Sequence, residues 1–101
     1  MSLHICSATN THGGKVVVRM GYDRPLEYIF CTVLSENGEV LYSSLSDANA
    51  GTDQQDVEYY RPILKNLGIT VPEEMFTGTK ADQLQRAGNK VVHHNITSRK
   101  G

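Results

Sequence analysis

A chain of 101 residues of which 39% are apolar is long enough for one domain with a modest hydrophobic core, and its composition excludes a disordered chain. A formal net charge of −1 at pH 7 excludes the basic excess that a strong non-specific nucleic-acid binder needs. No run of residues is apolar enough for a membrane span, the first residues do not resemble a signal peptide, and Cys6 and Cys31 form no CxxC pair, so we expect one cytoplasmic domain over residues 1–101 with reduced thiols.

The N-terminal segment ends in Gly13-Gly14, a pair that favours a flexible joint. We therefore expect residues 1–14 to form a flexible or covering arm, and residues 97–101 to form a tail. The first strand is predicted from Lys15 to Tyr22, where consecutive valines favour extended backbone.

The stretch YIFCTVLSENGEVLYSSL, residues 28–45, predicts a β-hairpin around Asn37-Gly38, with a two-residue type I′ turn. Side chains alternate with a period of two, so this turn sorts them into two faces. We expect one face to lie under the helices: Phe30, Leu34, Leu41 and Leu45. The other face is also apolar: Ile29, Val33, Val40 and Tyr42.

A helix is predicted after residue 52, where Thr52 and Gln55 have the spacing of a capping box. Pro62 predicts a kink or break just before residue 61, because a proline inside a helix removes a hydrogen bond. Gly68 predicts a left-handed Schellman cap in which Ile69 contacts the last turn. The expected buried stripe is Val57, Tyr60, Leu64 and Leu67.

The next helix is predicted to begin at Pro72, with Gly78 dividing it and Thr79 capping a second piece. Residues 90–96 are either a short strand or a tail. Strands followed by helices predict an α+β fold: an antiparallel meander of three strands, or four if Lys90 to Ile96 is extended, with two short helical segments packed on one face.

Two short helices cannot wrap both faces of such a sheet, so the second face predicts an interface. Its residues are Ile29, Val33, Val40 and Tyr42, to which the exposed pair Tyr59 and Arg61 is added because tyrosine and arginine are enriched at binding hot spots. We expect a homodimer that acts through protein–protein contact, with itself and another protein as partners and with no membrane or nucleic-acid partner. The arm at residues 1–14 is the alternative cover for this face.

Two further functions stay open. Asp47, Asn49, Asp53 and Glu58 stand at the first, third, seventh and twelfth positions of a loop, as the oxygen ligands of a calcium loop do, and they are weak candidates for a divalent-cation-dependent ligand binder or enzyme. The glycine of this loop is one position too early for that motif. The excess of basic residues after position 79 indicates a nucleic-acid accessory factor as the second alternative.

The remaining polar patterns indicate no catalytic residue, no metal site and no cofactor. His93 and His94 are adjacent, so on a strand they point to opposite faces and cannot both bind one metal ion. Neither cysteine stands in a local signature of a cysteine nucleophile. We therefore expect a binding module rather than an enzyme.

Overall fold

The computed structural model describes residues 1–11, 13–25, 28–47 and 56–94. In this part of the chain a five-stranded sheet is combined with two α-helices, which confirms an α+β domain. The strands and helices are β1 (Ser2–Thr9), β2 (Lys15–Asp23), β3 (Tyr28–Ser35), β4 (Val40–Ser43), α1 (Tyr60–Asn66), α2 (Glu73–Gln85) and β5 (Lys90–His94). Short 3-10 turns occupy Ser44–Ser46 and Val57–Tyr59.

The spatial order of the strands is β4-β3-β2-β1-β5. Strands β1 to β4 pair antiparallel as a meander, whereas β5 pairs parallel to β1. The predicted antiparallel meander is therefore only part of the sheet. A parallel pair needs a crossover connection, and the segment that contains α1 and α2 supplies it.

The N-terminal segment is a strand and not an arm. Residues Ser2–Thr9 pair with β2 on one side and with β5 on the other. The glycines that favoured a flexible joint belong to the turn between β1 and β2, where Asn10 N donates to Gly14 O at 2.9 Å and Gly13 has a φ of +83°. The arm was predicted because this glycine pair has the composition of a joint as well as that of a turn.

The β3–β4 hairpin keeps the predicted partners Thr32 with Ser43 and Val33 with Tyr42, but its turn is different. Gly38 has a φ of +88°, while Asn37 does not have a positive φ. Gly38 N donates to Ser35 O at 2.9 Å and Ser35 N donates to the oxygen of residue 39 at 2.7 Å. This is a three-residue loop with a bulge, so the predicted type I′ turn is wrong, and the register shifts by one residue next to the turn.

The helices cover the sheet face opposite to the expected one. Strands β1 and β2 bury their even-numbered residues against α1 and α2, and β3 buries its odd-numbered residues there. The core contains the following apolar side chains: Cys6, Ala8, Val16, Val18, Met20, Tyr22, Ile29, Cys31, Val33, Val57, Tyr60, Leu64, Ile69, Met75 and Phe76. Phe30 and Leu34, expected under the helices, lie on the other face and are half-buried.

The first helix confirms most of its sequence interpretation. A 3-10 turn ends at residue 59 and α1 begins at Tyr60, which places Pro62 in the first turn. The N–H groups of a first turn make no hydrogen bond within the helix, so the missing N–H of Pro62 costs α1 no hydrogen bond. Gly68, with a φ of +74°, donates to Lys65 O at 3.0 Å, and Ile69 N donates to Leu64 O at 3.0 Å. These are the two hydrogen bonds of the predicted Schellman motif.

The second helix is continuous through Gly78, so the predicted division is wrong. Thr79 does not cap a new helix, because its hydroxyl donates to Met75 O at 2.8 Å inside α2. The first two side chains that α2 buries are apolar and the next two are polar: Met75, Phe76, Thr79 and Asp82. Beyond the helix, residues 90–94 form a strand, as one of the two sequence interpretations proposed.

Some predictions fall outside the residues that the structure describes. These are the capping box of Thr52 and Gln55, the loop positions Asn49 and Asp53, and the tail at residues 97–101. None of the helices within the described ranges has the length and apolarity to cross a membrane.

We predict that Gly38→Val lowers the free energy of unfolding by about 1–2 kcal/mol, because a side chain is strained at a positive φ in the hairpin turn. A matched change next to it, Asn37→Ala, should stay within about 0.5 kcal/mol, since Asn37 is exposed and has an ordinary φ. Urea unfolding of both variants measures the difference. Equal effects of the two substitutions would contradict the bulged turn.

Candidate functional site

The structure separates the residues of the predicted interface. Ile29 and Val33 are 0% exposed in the core of the single chain, so they present no surface to a partner. Tyr42 packs partly buried against the same core, and Val40 is 61% exposed on the edge strand β4. An interface on the helix-free face stays a prediction. On β3 its residues would be Phe30 and Leu34, which point away from the face that carries Ile29 and Val33.

Tyr59 belongs to a tyrosine cluster around one carboxylate. The hydroxyls of Tyr42 and Tyr59 donate to Asp47 Oδ2 at 2.7 and 2.8 Å. Burial, followed by the hydrogen bond to Asp47, raises the pKa of Tyr42, and the same carboxylate raises the pKa of Tyr59. Both hydroxyls therefore remain protonated donors at neutral pH, and the cluster joins the end of β4 to the start of α1.

Arg61 joins the two helices. Its guanidinium donates to the carboxylates of Glu58 and Glu73 at 2.7–3.0 Å, and its carbon Cζ lies 4.3 Å from the centre of the Phe76 ring. All three charged groups are well exposed, so these ion pairs contribute little to stability. Arg61 thus has partners within the chain that explain its position without a second protein.

The cation-binding loop receives no support from the contacts of its described residues. Asp47 accepts from two tyrosines and Glu58 pairs with Arg61, while Asn49 and Asp53 lie outside the described residues. Within residues 1–11, 13–25, 28–47 and 56–94, no group of three or more histidine, cysteine or acidic side chains could hold a metal ion. The divalent-cation alternative stays a prediction.

The two cysteines lie on the covered face. Burial raises the pKa of the Cys31 thiol to about 12 and also raises that of Cys6. A thiol is reactive as its thiolate, so both side chains act as small apolar residues of the core.

The helix-free face of the sheet, called the open face below, carries a patch of apolar side chains. It alternates with the covered face along every strand, and in the described part of the chain both helices pack on the covered side. Its apolar residues are Leu3, Ile5, Val17, Phe30, Leu34, Val40 and Val91. Arg19 is exposed at its centre, on the middle strand β2.

A second site, called the histidine cluster below, lies on the covered side where β1, β5 and α2 meet. His4 Nε2 lies 2.7 Å from Asp82 Oδ2, and His4 Nδ1 lies 2.8 Å from His94 Nε2. Lys90 Nζ donates to the other carboxylate oxygen of Asp82 at 2.7 Å. The side chains of His4 and Asp82 are only 3% and 2% exposed, so this is a polar site inside the fold.

The electrostatics of the cluster favour a charged Asp82. Burial by itself would raise the pKa of Asp82, but hydrogen bonds from Lys90, His4 and Ser2 outweigh it and hold the pKa below its ordinary value. Burial lowers the pKa of His94, the neighbouring His4 lowers it further, and Glu74 opposes these effects only in part. At neutral pH the cluster therefore contains an ionised Asp82 and a neutral His94, with the ring of His4 between them.

The hydrogen bonds limit where the protons of the two rings lie. Because Asp82 is ionised, it can only accept, so His4 carries a proton on Nε2. Between His4 Nδ1 and His94 Nε2 one nitrogen donates and the other accepts, and the tautomers of the rings decide which one donates. One proton therefore lies between the two facing nitrogens.

Gly78 explains how a histidine fits beneath α2. A Cβ atom at position 78 would lie 2.8 Å from His4 Cε1, closer than side-chain carbons pack. The glycine that the sequence analysis predicted to divide the helix is thus the residue that leaves room for the ring. It positions His4 and takes no part in the chemistry of the cluster.

Sequence reasoning missed this site because His4 falls in the predicted arm and Asp82 in the helical piece that Thr79 was expected to cap, so neither was expected to be buried. The covered side of β1 begins with two polar residues, Ser2 and His4, and the apolar side chains Leu3 and Ile5 lie on its other side, so the sequence does not indicate which face is covered. The expectation that His93 and His94 point to opposite faces agrees with the structure, since His93 is exposed and His94 contacts His4.

No protein-family model, no curated protein and no solved structure matches the chain. Two features of the structure bear on its function. The open face carries apolar side chains, most of them half-buried, and the histidine cluster contains two buried titratable side chains, His4 and Asp82.

A double-mutant cycle tests the role of Gly78. Alanine in a helix interior is ordinarily more stable than glycine by about 0.5–1 kcal/mol, but we predict that Gly78→Ala destabilises the parent protein by about 1–3 kcal/mol through overpacking against His4. In a His4→Ala background the same change should instead stabilise, and urea unfolding of the four proteins measures this reversal.

The exposed neighbour Thr77 supplies the control, since Thr77→Ala should have the same small effect in both backgrounds. If Gly78→Ala stabilises the parent protein as much as it stabilises the His4→Ala protein, the ring of His4 does not occupy the place described above.

Proposed function

We propose that the protein is a small binding module that forms a homodimer by packing the open face against the open face of a second copy. The observation that supports this proposal is the apolar character of a sheet face on which the described helices do not pack. An antiparallel sheet with one solvated face ordinarily alternates apolar and polar side chains, whereas this face presents seven apolar residues.

The size of the open face fits a dimer of modest affinity. Strands of about eight residues with a rise of ~3.3 Å, spaced ~4.8 Å apart, give a surface on the order of 500 Å². Two copies would together bury about 1,000 Å², near the lower limit of specific interfaces. We therefore expect a dissociation constant in the micromolar range.

The charges of the central strand favour a second copy as the partner. Lys15, Arg19 and Asp23 all lie on the open-face side of β2 and are separated by four residues each. A two-fold axis through Arg19 places Lys15 of each copy above Asp23 of the other, so both ends of the strand gain an opposite charge. The long stem of Arg19 allows its guanidinium to turn away from the axis toward water.

The cytoplasm is the compartment that we propose with this function. Cys6 and Cys31 are both free and buried, as is usual for proteins of a reducing compartment. The basic-segment alternative has less support, because Lys80 lies 3.6 Å from Asp56 and Lys90 donates to Asp82, which leaves both cations next to a carboxylate.

Sedimentation equilibrium tests the dimer. We predict that the parent protein dimerises at micromolar concentration and that Leu34→Lys, which places a charge on the open face beside Val17, gives a folded monomer. The matched control is Leu84→Lys on α2, where the leucine is already 75% exposed, and it should leave the dimer unchanged.

Charge reversal tests the proposed two-fold axis. Lys15→Glu alone should weaken the dimer, and adding Asp23→Lys should restore it by reversing both members of each pair. A parent protein that stays monomeric at high micromolar concentration would contradict the dimer. A dimer that survives Leu34→Lys but dissociates with Leu84→Lys would move the interface to the helices.

A further inference from the structure

The histidine cluster has a property that a binding surface does not need: its two facing ring nitrogens share one proton. His4 Nδ1 and His94 Nε2 are 2.8 Å apart, and the rings are stacked with their centres 5.0 Å apart. One proton between these atoms makes a hydrogen bond. If both rings are fully protonated, two N–H groups point at each other, so the hydrogen bond is lost and two positive charges are in contact.

We propose that the histidine cluster is a pH-sensitive latch that holds the edge strand β5 on the sheet at neutral pH and releases it when acidification supplies a second proton to the pair. This proposal is independent of the dimer. It needs only the fold of the single chain and the three elements that meet at the cluster.

The charged groups around the two rings set the direction of the response. Asp82 and Glu74 face the pair from α2, and Lys90 faces it from β5, while His4 lies on β1. The negative charge of Asp82 offsets the positive charge that a first added proton places on the histidine pair. Asp82 also pairs with Lys90, and Glu74 is exposed, so the positive charge of a second added proton is not offset.

Strand β5 is the element that gives way. It has five residues and, among the strands of the described residues, it pairs on one side only, with β1, whereas β1 and β2 are paired on both sides. Of its side chains, Lys90, Val91 and His93 are exposed, so few apolar contacts hold it. Local opening occurs where packing is weakest. Release would leave the edge of β1 unpaired from Ser2 to Cys6.

The sign of the pH effect follows from the lowered pKa of His94. Between its lowered folded value and its ordinary value of 6.5, the unfolded chain binds a proton that the folded chain does not bind. The free energy of unfolding therefore has its full value above about pH 6.5 and decreases as the pH falls from 6.5 toward the lowered pKa of His94. One proton of difference increases the unfolding equilibrium constant by up to about tenfold for each pH unit.

Hydrogen exchange with mass spectrometry tests the latch on the full chain at pH 7.5 and pH 5.0, after correction for intrinsic exchange rates. We expect exchange of the β5 amides to accelerate about tenfold or more at pH 5.0 relative to the β2–β3 amides of the same protein. His94→Gln should abolish this acceleration. His93→Gln is the matched control, since its exposed ring lies on the open face, and it should keep the acceleration.

A measurement on the parent protein keeps the proposal testable if His94→Gln does not fold. Ring-nitrogen NMR reports the protonation of each histidine, and we expect only one of His4 and His94 to become doubly protonated while β5 remains paired. Two fully protonated rings in a protein with protected β5 amides would overturn the latch. So would an acceleration that is the same in the parent protein and in His94→Gln.

Discussion

A buried carboxylate is the constraint on which the arrangement of β1, β5 and α2 depends. Asp82 is 2% exposed, and an uncompensated charge in that position would cost several kcal/mol. Its partners come from two strands that are far apart in the sequence: Ser2 and His4 from β1 and Lys90 from β5. The fold must therefore bring β1 and β5 to one helix. A parallel β1–β5 pair on the covered side of the sheet does this.

The second constraint is the apolar character of both faces of the sheet. The helices bury one face, and the choice of face is made by the tyrosine and leucine side chains of α1 together with Met75 and Phe76 of α2. Tyr60 is fully buried, and its hydroxyl donates to Ile29 O at 2.6 Å, which ties α1 to β3. Phe30 and Leu34 are left on the open face, where the proposed second copy would cover them.

Both proposed sites include residues of β5, whose side chains alternate between the open face and the histidine cluster. Val91 and His93 face the open side, whereas Val92 and His94 face the helices. A change that releases β5 would thus remove Val91 from the open face. The histidine cluster and the open face are separate sites, and the experiments above distinguish them because hydrogen exchange follows the strand and sedimentation follows the assembly.

Local interactions were determined by the sequence itself. The Schellman cap at Gly68, the start of α1 before Pro62 and the pairing of Thr32 with Ser43 all follow from residues close in the chain, where only a few backbone conformations compete. The tertiary structure alone decided which sheet face the helices cover, because a pattern with a period of two on two apolar faces is symmetric between them. It also decided the pairing of β1 with β5 and the cluster of His4, Asp82 and His94. His4 is separated from Asp82 by 78 positions and from His94 by 90, so no local conformational preference specifies these contacts.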